Sequence, residues 1–339
     1  MENFIEDDLL NCLNIPGQSG FEGPIRNYIE KKLNVFGQIS RDRLGSVICE
    51  IKGDSSQGIK IFISAHMDTC GFLVHSIESN GKIKCINFGY RNVEACHLQP
   101  VAISTKDGYI SGLLNAVKEG DKLSFTIDIG IRSMVQTTDM GILAGDPIHF
   151  INAPVLLGVP SNRIICSPRL DNRFGIFELL LLAETFQKAP PMNDIYLVAT
   201  VEEEVGARGA KTAASMVKPD LALILDATYD EHPVSMGKGP VITLSDRSVL
   251  LSSDIRNYLL KLAKNENIPI QTECWNIGGS DAGTVRVVGD GIPTVPLLTA
   301  TKNAHTPSEI GCIKDCYTVV KFCQEITKHP DQLLDVFQT

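Results

Sequence analysis

Nothing in the sequence raises an expectation of membrane insertion or export. Its opening, Met1-Glu2-Asn3-Phe4-Ile5-Glu6-Asp7-Asp8, is acidic and has neither the cationic leader nor the apolar run of a secretory signal. No apolar stretch reaches membrane-spanning length; even Leu179-Leu180-Leu181-Leu182 is flanked by Glu178 and Glu184. Positive charge is also short: 31 Lys and Arg stand against 40 Asp and Glu, a net charge of −9. That sign opposes binding to polyanions, so neither nucleic acid nor a membrane is expected as a partner. The ten cysteines are scattered through 339 residues without a Cys-x-x-Cys pair, which is no disulfide scaffold. Reduced thiols in the cytoplasm are the expectation. Linkers, charge blocks and repeats are missing too, so any domain boundary must come from the order of elements.

What is present is ordinary for a globular protein: 43% apolar and 21% charged residues, at a length that suits roughly two domains. Apolar spacing predicts helices over 4–13 and 23–35, with Gly17-Gln18-Ser19-Gly20 breaking the first. Five segments, 59–64, 194–201, 221–225, 241–244 and 293–298, are β-branched and aliphatic runs of the kind a sheet covered on both faces requires. Helices are expected between them over 172–187, 208–216 and 253–264, and after them over 308–327. This alternation predicts an α/β fold with a mostly parallel sheet sandwiched by helices. Residues 72–165 break the pattern with short strand-like segments punctuated by Gly, Asn and Asp. The expected organisation is an α/β catalytic domain of 1–71 and 166–339, with an all-β domain of 72–165 inserted.

Polar residues gather where the predicted strands end, which is where open α/β sheets build their sites. His66 and Asp68 follow the first of these strands, Glu202-Glu203-Glu204 the second and Asp226 the third. His305 follows the last, and Asp171 opens the 172–187 helix. Each has a plain structural reading when taken singly. Asp171 suits an N-cap, Asp226 a turn, the glutamates a solvated patch, and the histidines an exposed loop or strand end. Positions two apart in an extended segment share a face, so Asp68 is placed to hydrogen-bond one nitrogen of His66 and leave the other for a metal. Two imidazoles and several carboxylates at one rim suit a pair of zinc- or cobalt-like dications. Three carboxylate ligands and a bridging hydroxide would neutralise them, which a partly desolvated site tolerates.

Blocks in one order along the chain give these residues a family context. They are Ser19-Gly20-Phe21-Glu22, Asp42-Arg43-Leu44-Gly45, His66-Met67-Asp68 with Gly71-Phe72, and Leu170-Asp171-Asn172-Arg173. Glu203-Glu204-Val205-Gly206 with Arg208-Gly209-Ala210, Asp226, Gly278-Gly279-Ser280-Asp281-Ala282 and His305 complete them. With these blocks the chain resembles, over almost its whole length, the co-catalytic dinuclear metalloaminopeptidases: glutamyl aminopeptidase, the tetrahedral TET aminopeptidases and proteins labelled endoglucanase M-like. The resemblance implies one metal on His66, Asp171 and Asp226, a second on Asp171, Glu204 and His305, and Asp171 between them. It implies Glu203 as general base, with Val205-Gly206 fixing the register of the glutamate run, and Asp68 as the residue orienting His66. Two zinc or cobalt ions, or manganese, would activate a water that cleaves N-terminal residues from peptides. The inserted domain would mediate dimerisation, with a tetrahedral dodecamer as a further assembly. Thr228, Tyr229, Asp230, Gly279 and Ser280 are candidates for the substrate pocket. Thr69-Cys70 departs from the family, which often has an acidic and an aliphatic residue there. Cys70 is read as a buried residue, an accessory ligand or an oxidation liability. Other readings are a deacylase or carboxypeptidase on the same site, and a non-catalytic peptide-binding homologue. The glucanase label fits poorly, because a glycosidase needs a carboxylate acid–base pair and these carboxylates are explained as ligands.

Overall fold

The computed structural model describes residues 2–338 apart from Gln57, Arg91 and Asp121. The first strands in the chain are β1 (Gln38–Arg41), β2 (Val47–Ile51) and β3 (Lys60–His66). They are followed by β4 (Gly71–Ile77), β5 (Ile83–Phe88), β6 (Gln99–Thr105), β7 (Gly108–Glu119), β8 (Lys122–Asp128) and β9 (Pro147–Phe150). Next come β10 (Val155–Leu157), β11 (Ile164–Ser167), β12 (Asp194–Thr200) and β13 (Leu221–Tyr229). The last are β14 (Val241–Ser245), β15 (Gln271–Cys274), β16 (Thr294–Lys302) and β17 (Glu309–Cys312).

Eleven strands form one sheet in the order β1-β2-β12-β3-β13-β16-β17-β11-β10, with β14 beside β16 and β15 beside β14. Its centre is parallel: β12 with β3, β3 with β13, and β13 with β16. Helix Leu170–Lys188 packs on β3 and β13, and helix Arg208–Val217 on β12 and β3. Under that cover Ile61, Phe62, Ile63, Ser64 and Ala65 are all fully buried at consecutive positions, which is why these strands read as nearly continuous apolar runs. Burial of each such large side chain contributes about 1.5–3 kcal/mol. The run Leu179 to Leu182 has the same explanation: its helix also packs against helices Glu2–Asn14 and Ile313–Lys328, leaving little of its surface to water.

Strands β4 to β9 close into a separate barrel in the order β4-β5-β8-β7-β6-β9. Its core is aromatic. The Phe72 and Tyr90 rings stack at 5.2 Å, and Phe150 meets both edge-on at 5.9 Å and 5.0 Å. Arg169, just ahead of helix Leu170–Lys188, donates to the carbonyls of Phe150 in the barrel and Leu13 in the first helix. This pins the barrel to the start of the helix that carries Asp171.

Several expectations need correction. The large sheet is mixed rather than mostly parallel, since β1, β2, β14, β17, β11 and β10 join it through antiparallel pairs. The chain rejoins this sheet at Val155, before the expected boundary at 165, because β10 pairs with β11 and β11 with β17. The helix expected over 308–327 starts only at Ile313. Residues Glu309–Cys312 are instead a strand filling the gap between β16 and β11. The short helices Met134–Asp139 and Pro330–Gln338 were not anticipated.

Candidate metal centre

The site lies at the carboxyl rim of the parallel strands. His66 is the last residue of β3 and sits opposite Thr200, the last residue of β12. On the other side Ile224 of β13 pairs with Ser64, so Asp226 and His66 lie two residues further along neighbouring strands. The strand does not end at Asp226, as expected, but runs on to Tyr229. His66 Nε2 lies 3.2 Å from Asp226 Oδ1 and 3.2 Å from Asp171 Oδ1.

Asn172, and not Asp171, does the capping at this helix start. Asp171 and Asn172 have non-helical backbone angles, and the first helical turn is capped by Asn172, whose Oδ1 accepts the Gly175 N–H at 2.9 Å. Asn172 also donates to the Leu225 carbonyl on β13 at 2.9 Å, which fixes the helix start to the strand that carries Asp226. The N-cap reading of Asp171 is therefore overturned. Its second oxygen, Oδ2, lies 3.2 Å from His305 Nε2, so one carboxylate faces both imidazoles. Glu204 Oε2 stands 3.7 Å from the same His305 nitrogen.

Asp68 organises the rim in a way the sequence reading did not foresee. His66 Nδ1 bonds the main-chain carbonyl of Asp68 at 3.1 Å, while the Asp68 carboxylate is 3.6 Å away. The carboxylate instead accepts from Ser19 Oγ at 2.6 Å and from the main-chain N–H groups of Glu203 and Glu204 at 2.9 Å and 3.2 Å. Asp68 thus meets the histidine through its main-chain carbonyl and the glutamate turn through its carboxylate. Glu309 likewise meets two groups on the far side: its two oxygens accept the His305 N–H at 2.9 Å and the Asp171 N–H at 3.0 Å. His305 Nδ1 meets the Gly89 carbonyl, from the barrel, at 3.0 Å. Glu309 lies in the His305-Thr306-Pro307-Ser308-Glu309 stretch, but an expected helix there hid its role. Thr200 Oγ1 donates to Asp281 Oδ2 at 2.6 Å.

The electrostatics are those of a site short of positive charge. Among the described residues, Asp68, Asp171, Glu203, Glu204, Asp226, Asp281 and Glu309 form no ion pair with Lys or Arg, and Asp68, Asp171, Glu204 and Asp226 pair with His66 or His305 instead. Burial works against the charged form of His66, yet Asp226, Asp171 and Asp68 hold its pKa well above the ordinary value. His305 is likewise held up at about 10: burial opposes its charge, and Asp171 and Glu204 override it. Burial pushes Glu203 well up, and Glu204 to about 7, the latter opposed by His305 and reinforced by Asp171. Glu204 Oε1 is buried without a hydrogen-bond partner. An orphaned carboxylate oxygen in an excess of anions is what a cation would satisfy. Two donor clusters, His66 with Asp171 and Asp226, and Cys70 with Glu204 and His305, each bring their ligand atoms within 4.8 Å of one another. Hard carboxylates and borderline imidazoles fit a divalent cation.

A cavity of about 440 Å3 opens on this rim. Thr228, Tyr229, Gly279 and Ser280 line it as expected, together with Arg247 and Trp275, which were not anticipated. Asp230 does not belong to it. It lies beyond the end of β13, where it pairs with Lys302 at 3.3 Å.

An α/β sheet with buried imidazoles and carboxylates at its carboxyl rim, open to a cavity of this size, has the build of a hydrolase. The chain belongs to the M42 glutamyl aminopeptidase family, whose model matches residues 45–322, and it is a peptide hydrolase of the aminopeptidase class. A relative from Acetivibrio thermocellus is 34% identical, over 94% of this chain and 98% of its own. The TET aminopeptidase of a marine sediment Thaumarchaeota archaeon superposes with a TM-score of 0.91 at 26% identity, covering 98% of this chain and 99% of the other. The TET1 peptidase of Pyrococcus horikoshii, described as assembling into a tetrahedron or a large octahedral shell, gives 0.84 at 26% identity over 95% and 99%.

Proposed function

We propose that the chain removes single residues from the free N-termini of peptides at a centre of two divalent cations, zinc or cobalt, with manganese as the alternative. One observation carries the reading: Asp171 presents one oxygen to each imidazole, 3.2 Å from His66 and 3.2 Å from His305, beside the orphaned Glu204 Oε1. His66, Asp171 and Asp226 would hold one ion, and Asp171, Glu204 and His305 the other. Such ions, when bound, polarise the scissile carbonyl and bring the pKa of a water toward neutrality. Glu203 takes the proton of the attacking water and returns it to the leaving amine. Its buried surroundings raise its proton affinity, which suits a group that must both accept and release a proton. Asp68 holds Glu203 in place through its main-chain N–H and keeps His66 in one orientation.

The surplus of carboxylates favours the protonated α-amine of a peptide over a C-terminal carboxylate, which supports exopeptidase action from the N-terminus. The side chain of the removed residue would enter the cavity bounded by Thr228, Tyr229, Gly279 and Ser280. The large sheet and its helices, which the chain rejoins at Val155, are read as the catalytic domain, and the barrel as an inserted unit for self-association. Leu98, Tyr109, Val135 and Leu143 of the barrel segment are exposed, apolar side chains that a second copy of the chain would cover. Ten free cysteines favour a reducing compartment, the cytoplasm. Among the described residues no helix is long and apolar enough to cross a membrane.

The test is a panel of aminoacyl-p-nitroanilides offered to metal-stripped protein with zinc, cobalt or manganese restored. Free-amine substrates should be cleaved only after restoration. Cleavage of N-acetylated substrates in preference to free amines would replace the aminopeptidase with a deacylase on the same site.

A further inference from the structure

One donor at the rim has no part in the reading above. Cys70 lies two residues past Asp68, and its Sγ is within 4.8 Å of ligand atoms of both Glu204 and His305. Only 5% of the residue is exposed. One feature beside it points to a ligand, and a second fixes where the sulfur sits. Glu204, with a side chain 5% exposed, has a partnerless Oε1 in this cluster. Gly89, whose carbonyl accepts from His305 Nδ1, presses against the thiol so closely that a methyl at Gly89 would collide with Cys70 Sγ. One glycine thus orients the imidazole and walls in the sulfur.

We propose that Cys70 is a thiolate donor to the cation held by Glu204 and His305, so that the two positions of the centre differ in chemistry. The His66 position offers nitrogen and oxygen, whereas the His305 position offers nitrogen, oxygen and sulfur. This rests on the metal-centre part of the proposed function and is independent of which peptides are cut. A sulfur donor biases its position toward zinc or cadmium and away from manganese or magnesium. A coordinating thiol loses its proton outright, so cation entry releases that proton to solvent and a sulfur–metal bond replaces the S–H bond.

The experiment loads the metal-stripped full chain with cobalt(II) and, separately, with cadmium(II). The expected result is a thiolate-to-cobalt charge-transfer absorption in the near ultraviolet, present in the wild type and in Cys85→Ser but absent in Cys70→Ser. Cadmium affinity of one position should fall at least roughly tenfold in Cys70→Ser, with manganese affinity little changed. Two bound cobalt ions without that absorption, or an absorption that survives Cys70→Ser, overturns the proposal. X-ray absorption on the cadmium-loaded wild type needs no variant: a sulfur neighbour supports it, and an all-oxygen-and-nitrogen shell overturns it. Failure to bind any stoichiometric metal would sink the metal centre and this proposal together, whereas metal without sulfur sinks this proposal alone.

Discussion

The two sides of the centre are built by different means. His66 and Asp226 belong to neighbouring parallel strands, β3 and β13, and their positions follow from the ladder that joins those strands. Glu204 and His305 come from loops, and His305 has a left-handed φ of 60°. Nothing in a strand ladder holds them. Asp68 does so for the glutamate turn, and Glu309 with the Gly89 carbonyl for His305. The strand-borne candidates are placed by the sheet, while the loop-borne ones rest on hydrogen bonds from outside it, one of them from the barrel.

The comparison can be tested by substitutions ordered by their expected effect on turnover. Glu203→Gln leaves both sides intact but removes the proton carrier. Turnover should fall by roughly 10²–10⁴ with metal content near wild type, as read by kinetics and elemental analysis. Loss of metal instead would mean that the register of the glutamate run is wrong and that Glu203 is itself a ligand. Glu309→Gln keeps one acceptor but sets an amide N–H₂ against the His305 or Asp171 N–H. By calorimetry the cation on the His305 side should bind roughly 10–100-fold more weakly, and the other, which shares only Asp171, should lose less. Equal weakening of both would erase the distinction between strand side and loop side.

Gly89→Ala tests the barrel's share. Gly89 has a φ of 98°, and the added methyl meets Cys70 Sγ, so the loop must move and His305 lose its partner. We expect a cost of about 1–3 kcal/mol in stability, read by denaturant melts, together with weaker binding at the loop side alone. Glu178→Gln should barely change turnover but should alter stability against pH. Glu178 is buried, accepts from Thr299 at 2.7 Å, and burial raises its pKa to about 8. The folded chain therefore keeps a proton that the unfolded chain gives up near 4.5. The stabilisation is full below about 4.5 and is lost as the pH rises through about 8. Wild-type melting temperature should fall across that window more steeply than that of the variant; parallel curves would refute the assignment.

Much of this was legible along the chain. The strand cores at 59–64, 194–201 and 221–225 stand out because burial on both faces demands unbroken apolar runs. The rim position of His66 and the glutamates follows from where those runs stop. Glu309–Cys312 was misread because Ile310, Ile313 and Cys316 also satisfy a helical spacing, and periodicity alone does not separate a short strand from the first turn of the helix that follows it. Asp230 was assigned by nearness to Asp226 in sequence, and the end of β13 took it out of the cavity. The partners of Asp68 carried no local signal, since Ser19 and Glu203 meet it only across the fold.

The sequence by itself determined an α/β scaffold and the kind of chemistry at its rim, because apolar runs and the polar residues ending them are local properties. Which oxygen faces which imidazole, how Asn172 rather than Asp171 comes to cap its helix, and how a barrel carbonyl comes to orient His305 were decided only by tertiary structure. Those contacts join residues far apart in the chain, and no spacing rule encodes a hydrogen bond between segments that meet only after the sheet has formed.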